Sequence, residues 1–518
     1  MATATPIYLD YAASTPVAPE VVAVMAGALA APELVGNPST GGGHGLAQGR
    51  AAHDAIESAR RQVAALIQAK PAEVIFCSGA TEADNLAIIG AARFRQADGR
   101  HLVTALTEHK AVLESCRHLA AHGWRVTWLA PGPDGIIWPE AVAAALEPDT
   151  VLVSLMHANN ETGVLLDVAA IGALCRRHGA WLHVDAAQSA GRVPIDVRRQ
   201  QVDLLSLSAH KLHGPKGVGA LFIDGERVRR IEPLLFGGGQ ERGIRPGTLP
   251  THQIIGMGEA CRLAAASLDH DRLHVTALRD RLWSKLAALP GILRNGDPAR
   301  NAGHILNVSV EGVEGESLHA GLQGDDGGTP LAVASGAACI SQDDEPSYVL
   351  RLLGRSAGLA RSSIRFSFGR QTTMAEIDAA AAQTLRVIRR LRNRSPAAGR
   401  PAPADGPAAT VLVRGEAGTA ETGTWVAFTA WIAADGGIRQ LQAQVHGCPD
   451  TRRAADRVVA DLSGGPVTDL GTVDPRLLVT TLDIPVEKLG RLLVVQDALR
   501  NCLADWDNGR LQAVPGRQ

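Results

Sequence analysis

The sequence predicts an α/β protein with a large, mostly parallel sheet, a smaller α+β domain behind it and a separate α+β module at the C-terminal end. Three observations carry this. Between about residues 50 and 225, short β-branched or apolar runs alternate with amphipathic stretches of ten to eighteen residues, the arithmetic of βαβ units. A second set of strand signals follows and closes in a helical pattern near residue 393. The stretch RSPAAGRPAPADGPAA, residues 394–409, is rich in Pro, Ala and Gly with almost nothing to bury, and reads as an exposed linker.

The strand candidates of the first region are EVIFCSG, HLVTALTEH, TVLVSLMHANN, AWLHVDAAQ, DLLSLSAHK and GVGALFID, with helical patterns such as ATEADNLAIIGAARF and DVAAIGALCRRHG between them. In such a sheet the ligand sits outside the carboxyl ends of the strands, so polar residues collected there share one site. A long helix is expected near residues 252–290, then the strands HILNVSV and SIRFSFG and the helix MAEIDAAAAQTLRVIRRLR. Beyond the linker, residues 410–518 hold two strand candidates, TWVAFTAWIAA and IRQLQAQVHG, followed by helical patterns in TRRAADRVVADL and LGRLLVVQDALRNCLADW. The expected division is thus 1–393, with a large domain of about 16–260 and a small domain built from the N-terminal segment and about 265–393; then the linker 394–409 and the module 410–518.

With 518 residues the chain exceeds one ordinary core. It is 46% hydrophobic and 20% charged with a formal net charge of −2, which gives no basic surface for nucleic acid or membrane. The N-terminus MATATPIYLDYAASTP has no basic-then-apolar leader pattern, and no run of about eighteen apolar residues occurs, so the expected location is cytoplasmic. Seven cysteines lie scattered without CxxC or Cys/His ligand spacing, so neither a disulfide framework nor a metal site is expected.

Three stretches carry chemistry. In SGATEADN a Gly turn leaves a strand and opens a helix, so the backbone N–H groups around Ala80 and the Thr81 hydroxyl suit a phosphate; a plain capped helix is the other reading. In VDAAQ, Asp185 ends an apolar strand and needs a cation, such as a protonated pyridine nitrogen, or local backbone donors. In SLSAHKLHGPKG, Lys211 ends the next strand, either as an ordinary charge or as a desolvated amine kept for carbonyl chemistry. Phosphate turn, strand-end Asp and strand-end Lys, in that order, fit one pyridoxal-phosphate site.

From Ile7 to about Asn393 the chain resembles a cysteine desulfurase of the housekeeping iron–sulfur and nitrogenase-associated type. The resemblance rests on YLDYAASTP, GNPST, FCSGATEADNLAI, TEHKAVLESC, MHANNETGV, HVDAAQSAGRVPID, SAHKLHGPKGVGAL, GGGQERGIRPGTLP, ASGAACISQDDEPSYVLR and SSIRFSFGR. It implies a fold type I, pyridoxal 5'-phosphate-dependent enzyme. By the same resemblance Lys211 would hold the cofactor as a Schiff base, Asp185 would pair with the ring nitrogen, Gln188 would bond the ring hydroxyl and His109 would stack on the ring. Ala80, Thr81, Ser208 and His210 would hold the phosphate, and Thr248 would reach the phosphate of an opposite subunit, implying a homodimer. Asn160 and Arg365 would bind the substrate carboxylate. Cys339 would be the nucleophile that takes sulfur from L-cysteine as a persulfide, with His109 shuttling protons. Cys77, Cys116, Cys175 and Cys261 sit in strand or helix patterns and read as core.

Departures from the family pattern are the glycine-rich GNPSTGGGHG around His44, the acidic insertion GLQGDDGGTPLAV before Cys339, and Leu212-His213 after the lysine, where His213 reads as a packing substitution. Residues 410 to about 510 resemble, more faintly, the U-type scaffold on which iron–sulfur clusters are built. Cys448 in HGCP matches one scaffold cysteine, beside a turn where a thiol can be exposed; GTAETGTW has no cysteine, and Lys488-Leu-Gly-Arg491 replaces the last ligand motif. Cys502 reads as packing. The resemblance implies a docking or sulfur-relay module with Cys448 as a possible sulfur acceptor, and a separate scaffold or other acceptor protein as partner; the other reading is that Cys448 is a buried remnant and the module stabilises the dimer. The competing expectations are a class V aminotransferase or lyase without persulfide chemistry, and an adaptor protein.

Overall fold

The computed structural model describes residues 6–40, 46–324, 327–335, 346–394, 410–420 and 422–512. The expected linker falls almost wholly outside them, as do His44 and Cys339.

The chain begins with β1 (Ile7–Tyr8), α1 (Pro19–Ala30) and α2 (Ala47–Leu66). It then alternates through β2 (Val74–Cys77), α3 (Ala80–Arg95), β3 (His101–Ala105), α4 (Lys110–Ala121), β4 (Arg125–Leu129), α5 (Pro139–Ala145), β5 (Thr150–Met156), α6 (Val168–His178), β6 (Trp181–Asp185), β7 (Leu204–Ser208) and β8 (Gly219–Ile223). These strands form one seven-stranded sheet in the order β2-β8-β7-β6-β5-β3-β4, in which β8 alone runs against its neighbours. All six expected strands are present. The seventh, β4, was not anticipated: it lies at the sheet edge, and its first four residues are exposed or half-buried, so RVTWL lacks a continuous apolar signal.

Both faces of the sheet are covered. Val103, Val153, Leu182, Val184, Leu205 and Phe222 face one core, and Ile75, Leu102, Leu152, Leu204 and Leu221 face the other. Successive residues of a strand point to opposite faces, which is why these strands read as unbroken apolar runs.

The helix α7 (Thr251–Leu286) joins two domains. Its first half packs Ile254, Met257, Cys261 and Ala264 on the large-sheet core, and its second half packs Val275, Leu278, Leu282 and Leu286 into another. That second core lies under β9 (Ile292–Arg294), β10 (Ile305–Val310), α8 (Gly315–Leu322), β11 (Leu331–Ala332), β12 (Ala334–Ser335), α9 (Tyr348–Leu352), α10 (Ala357–Arg361), β13 (Ser363–Ser367) and α11 (Met374–Arg394). Its sheet has the order β12-β13-β10-β9, and β1 pairs in parallel with β11, returning the N-terminal segment to this domain.

The C-terminal module has its own core. Three strands, β14 (Thr410–Thr419), β15 (Thr424–Ala433) and β16 (Ile438–His446), form an antiparallel meander, followed by α12 (Pro449–Leu462), α13 (Pro475–Leu482) and α14 (Leu489–Gln512). The sequence had marked two of these strands. The third contains Gly415, where an added Cβ would stand 2.0 Å from the Cys502 nitrogen and 2.2 Å from the Ala498 oxygen. The glycines that hide β14 from a β-propensity reading are what let α14 lie directly on it. Cys502 is buried in that contact, and burial pushes its thiol up to about 12.

The module touches the small domain through polar groups. Ser317 Oγ donates to the Gly447 carbonyl at 2.7 Å. Glu316 accepts from Lys488 Nζ and from Arg491 Nη1, each at 2.8 Å, and Lys488 also reaches Asp450 at 3.0 Å.

Candidate active site

A cleft of about 590 Å³ opens outside the carboxyl ends of β2, β5, β6 and β7. Its walls bring together Ala80, Thr81, His109, Asn160, Asp185, Gln188, Ser208, His210, Lys211 and Arg365. Residues distant in sequence meet there because the parallel strands all end on that side.

One end of the cleft is the start of α3. Gly79 is the N-cap, and no side chain caps the helix. The turn is held close by Gly219 on β8, where an added Cβ would stand 2.6 Å from the Gly79 Cα and 2.5 Å from the Leu207 oxygen. The free N–H groups of the first turn, the Thr81 and Ser208 hydroxyls and His210 surround a space suited to an anion. His210 Nδ1 lies 3.3 Å from Ser14 Oγ, and burial followed by the Lys211 charge lowers its imidazole to about 4.

Asp185 ends β6, is 6% exposed and accepts from the Ala187 N–H at 2.9 Å. Burial raises its carboxyl, while the Ala187 N–H, His109 and Lys211 oppose that rise. A buried carboxylate facing cationic groups is a receptor for a positive charge. His109 is the N-cap of α4, and its Nδ1 accepts from the Ala111 N–H at 3.1 Å. In the neutral ring that bond leaves the proton on Nε2. Burial is the main cause that lowers the His109 imidazole, with Lys211 also lowering it and Asp185 opposing.

Lys211 Nζ donates to the carbonyls of Ala12 and Ala13. Burial, then the Arg365 charge, lowers its amine to about 8. At neutral pH a larger share of it is therefore free amine than in an ordinary lysine. A buried amine held below the ordinary lysine range is the state that carbonyl chemistry requires.

Arg365 on β13 is buried. Its Nη1 donates to the Asn160 carbonyl at 2.9 Å and its Nη2 to Asp10 Oδ1 at 2.7 Å, while Nε has no partner. The side-chain oxygen of Asn160 is also buried without one. Unpaired buried polar atoms are uncommon in folded proteins, and two facing one cleft suit a polar ligand. Asp10 was not singled out from the sequence; the only available signal was its place in YLDYAASTP.

Gln188 Nε2 donates to the Ala12 carbonyl at 2.7 Å, and its Oε1 lies 3.3 Å from His304 Nε2. Thr248 is exposed and does not line the cleft of its own chain. Cys339 lies outside the described residues, but the chain on both sides of residues 336–345 is fixed to the cleft wall. Ala334 pairs with Arg365 and Ser335 with Ile364. On the other side, Ser347 Oγ donates to buried Glu161 at 2.5 Å, next to Asn160. Cys77, Cys116, Cys175 and Cys261 are buried as expected, and burial pushes each thiol up to about 12. Of the two readings of Cys448, the buried one matches its burial: the thiol is 0% exposed and lies 3.3 Å from Thr451 Oγ1.

An anion cradle, a buried carboxylate and a lowered amine match the donor set that pyridoxal phosphate needs for its phosphate, ring nitrogen and aldehyde. Among the described residues, no group of three or more His, Cys, Asp or Glu side chains could hold a metal ion, and no helix is long and apolar enough to cross a membrane.

The family model described as "Aminotransferase class-V" matches residues 7–380. The chain is 50% identical over 391 residues to "Cysteine desulfurase IscS" of Pseudomonas entomophila (strain L48), covering 76% of this chain and 95% of that protein. It is 51% identical over the same shares to the protein of that name from Pseudomonas aeruginosa (strain UCBPP-PA14). Among solved structures it is similar to a "NifS-like protein" (31% identity, TM-score 0.68, 75% of this chain and 100% of that one). It is also similar to DndA from Streptomyces lividans (39% identity, TM-score 0.58, 70% and 99%).

Proposed function

The chain belongs to the class-V aminotransferase family, and we propose that it is a pyridoxal 5'-phosphate-dependent L-cysteine desulfurase that leaves alanine and an enzyme-bound persulfide for transfer to sulfur acceptors. The observation that carries this reading is the match to proteins named cysteine desulfurases, about half identical over 95% of their length. The chemistry of the cleft supports it independently.

In this reading Lys211 carries the cofactor covalently. The α3 turn at Ala80 and Thr81, with Ser208 and His210, holds its phosphate. Asp185 would pair with the ring nitrogen, Gln188 would bond the ring hydroxyl and His109 would lie against the ring. When bound, the cofactor supplies an electron sink for bonds broken at the substrate carbon. Arg365 and Asn160 hold the substrate carboxylate, the arginine exchanging its bond to Asp10 for a bidentate one. His109, neutral and protonated on Nε2, and Lys211, near its midpoint, move protons. The Cys339 thiolate attacks the substrate sulfur, so that an S–S bond forms as the C–S bond breaks and the carbon fragment leaves as alanine after protonation.

Thr248 belongs to the site only if a second copy presents it, so the active form is a homodimer in this account. The C-terminal module is read as a relative of the U-type scaffold turned into a docking domain. Sulfur acceptance by Cys448 would require the module to move, because the thiol is covered where it stands.

The test is product stoichiometry. With L-cysteine and a thiol reductant, the protein should release alanine and sulfide one to one, and Cys339→Ser should release neither while keeping the cofactor's visible band. Alanine formed without sulfur release, or activity retained in Cys339→Ser, would favour an aminotransferase or lyase lacking thiol chemistry.

A further inference from the structure

Asp84, in the first turns of α3, shares the cleft with Asp185. It is 1% exposed, and neither carboxyl oxygen has a hydrogen-bond partner. The groups facing it are the Ser206 hydroxyl on β7, His183 on β6 with Nε2 3.5 Å from Oδ1, and the carboxyls of Asp185 and Glu108. Both His183 ring nitrogens are engaged by hydroxyls, Nδ1 2.8 Å from Ser154 Oγ and Nε2 2.9 Å from Ser206 Oγ, and burial disfavours the charged ring, lowering its imidazole to about 3. Asp84 is thus a buried carboxyl facing two other carboxyls and a neutral ring. The Ser206 hydroxyl opposes the rise, but one neutral donor does not offset the desolvation of a buried charge beside two carboxyls.

Asp185 has what Asp84 lacks: an N–H donor from Ala187 and, beside it, His109 and the Lys211 amine, all of which work against the rise that burial imposes. Two buried carboxyls close enough to repel, in unequal surroundings, divide their protons unequally.

We propose that Asp84 is a positioning residue, held as a neutral carboxylic acid beneath the cleft, so that the single negative charge of the Asp84/Asp185 pair stays on Asp185 where the ring nitrogen of the cofactor would meet it. This rests on the reading of the cleft as a pyridoxal-phosphate site. Burial, and next the Asp185 charge, push the Asp84 carboxyl well above the carboxylate range, in keeping with this division. If Asp84 held the charge and Asp185 the proton, the ring nitrogen would lose its ionic partner.

The test is infrared spectroscopy of the full-length protein as purified, labelled with carboxyl-13C aspartate so that Asp bands separate from those of Glu108 and Glu161. At pH 7.5 one protonated Asp carbonyl band is expected. It should vanish in Asp84→Asn, a variant that keeps the cofactor's visible band and its pH midpoint, whereas Asp185→Asn shifts that midpoint by about one pH unit or more. The proposal is overturned if labelled wild-type protein shows no protonated Asp band, if the band survives in Asp84→Asn, or if Asp84→Asn moves the midpoint as far as Asp185→Asn does. The wild-type spectrum decides the first point even if Asp84→Asn does not fold. A protein without a visible cofactor band would refute the cofactor reading instead, while the infrared band still reports on Asp84.

Discussion

After β2 the chain turns through Gly79 into α3, and after β16 it turns through Gly447 into α12; the two turns are finished in opposite ways. No side chain caps either helix, but the start of α3 opens onto a cleft of about 590 Å³ in whose walls Asn160 and Arg365 keep unpaired polar atoms. At α12 Cys448 is covered and held by Thr451, Arg491 reaches both its sulfur and Glu316, and Ser317 takes up the Gly447 carbonyl. The same local motif is a receptor in one place and a closed joint in the other. The difference lies in whether the polar groups already have partners, which the local sequence does not encode.

The most damaging way to break the open site is Lys211→Ala. The visible band of covalently held cofactor should be lost and turnover should fall by at least about 10³-fold, with the fold retained. A reducible cofactor bond surviving in that variant would remove Lys211 from its role. In wild-type protein stripped of cofactor, recapture should accelerate as pH rises, with a midpoint near 8, because only the free amine reacts. A midpoint above 10 would mean that the cleft does not desolvate the lysine.

Arg365→Lys sharpens the account at the substrate end. Loss of the planar fork costs about 1.5–3 kcal/mol, or roughly 10- to 100-fold, expected mainly in KM for cysteine. An unchanged KM would place carboxylate recognition elsewhere.

Glu316→Lys tests the closed joint and carries the smallest effect on chemistry. Each part-exposed pair it removes is worth no more than about 1 kcal/mol. Cysteine turnover should change less than about twofold, while hydrogen exchange near Gly447 and thiol-reagent labelling of Cys448 should rise. Unchanged labelling would mean that this contact does not cover the thiol.

The open site was largely legible in the sequence. Asp185 ends a strand, and Thr81 and Lys211 lie a few residues beyond the ends of two others, all with unambiguous apolar runs, so that parallel topology forces them together. Asp10 and Asp84 were not legible as site residues, because their significance lies in what they face: Arg365, 355 residues away, in one case and a second carboxyl in the other. The closed joint was left undecided for the same reason. HGCP reads as an exposed turn, and its cover comes from residues about 130 positions before it and about 40 after. The strands β4 and β14 escaped because an exposed edge and packing glycines erase the alternation that marks a strand.

The central claim is that the cleft removes sulfur from cysteine and places it on Cys339. It is tested most directly by incubating the protein with sulfur-labelled L-cysteine without reductant, alkylating, and mapping the label by peptide mass spectrometry. The account predicts a persulfide on the peptide carrying Cys339, absent in Lys211→Ala and in Cys339→Ser. Label confined to other cysteines, or alanine produced with no persulfide on Cys339, would contradict it.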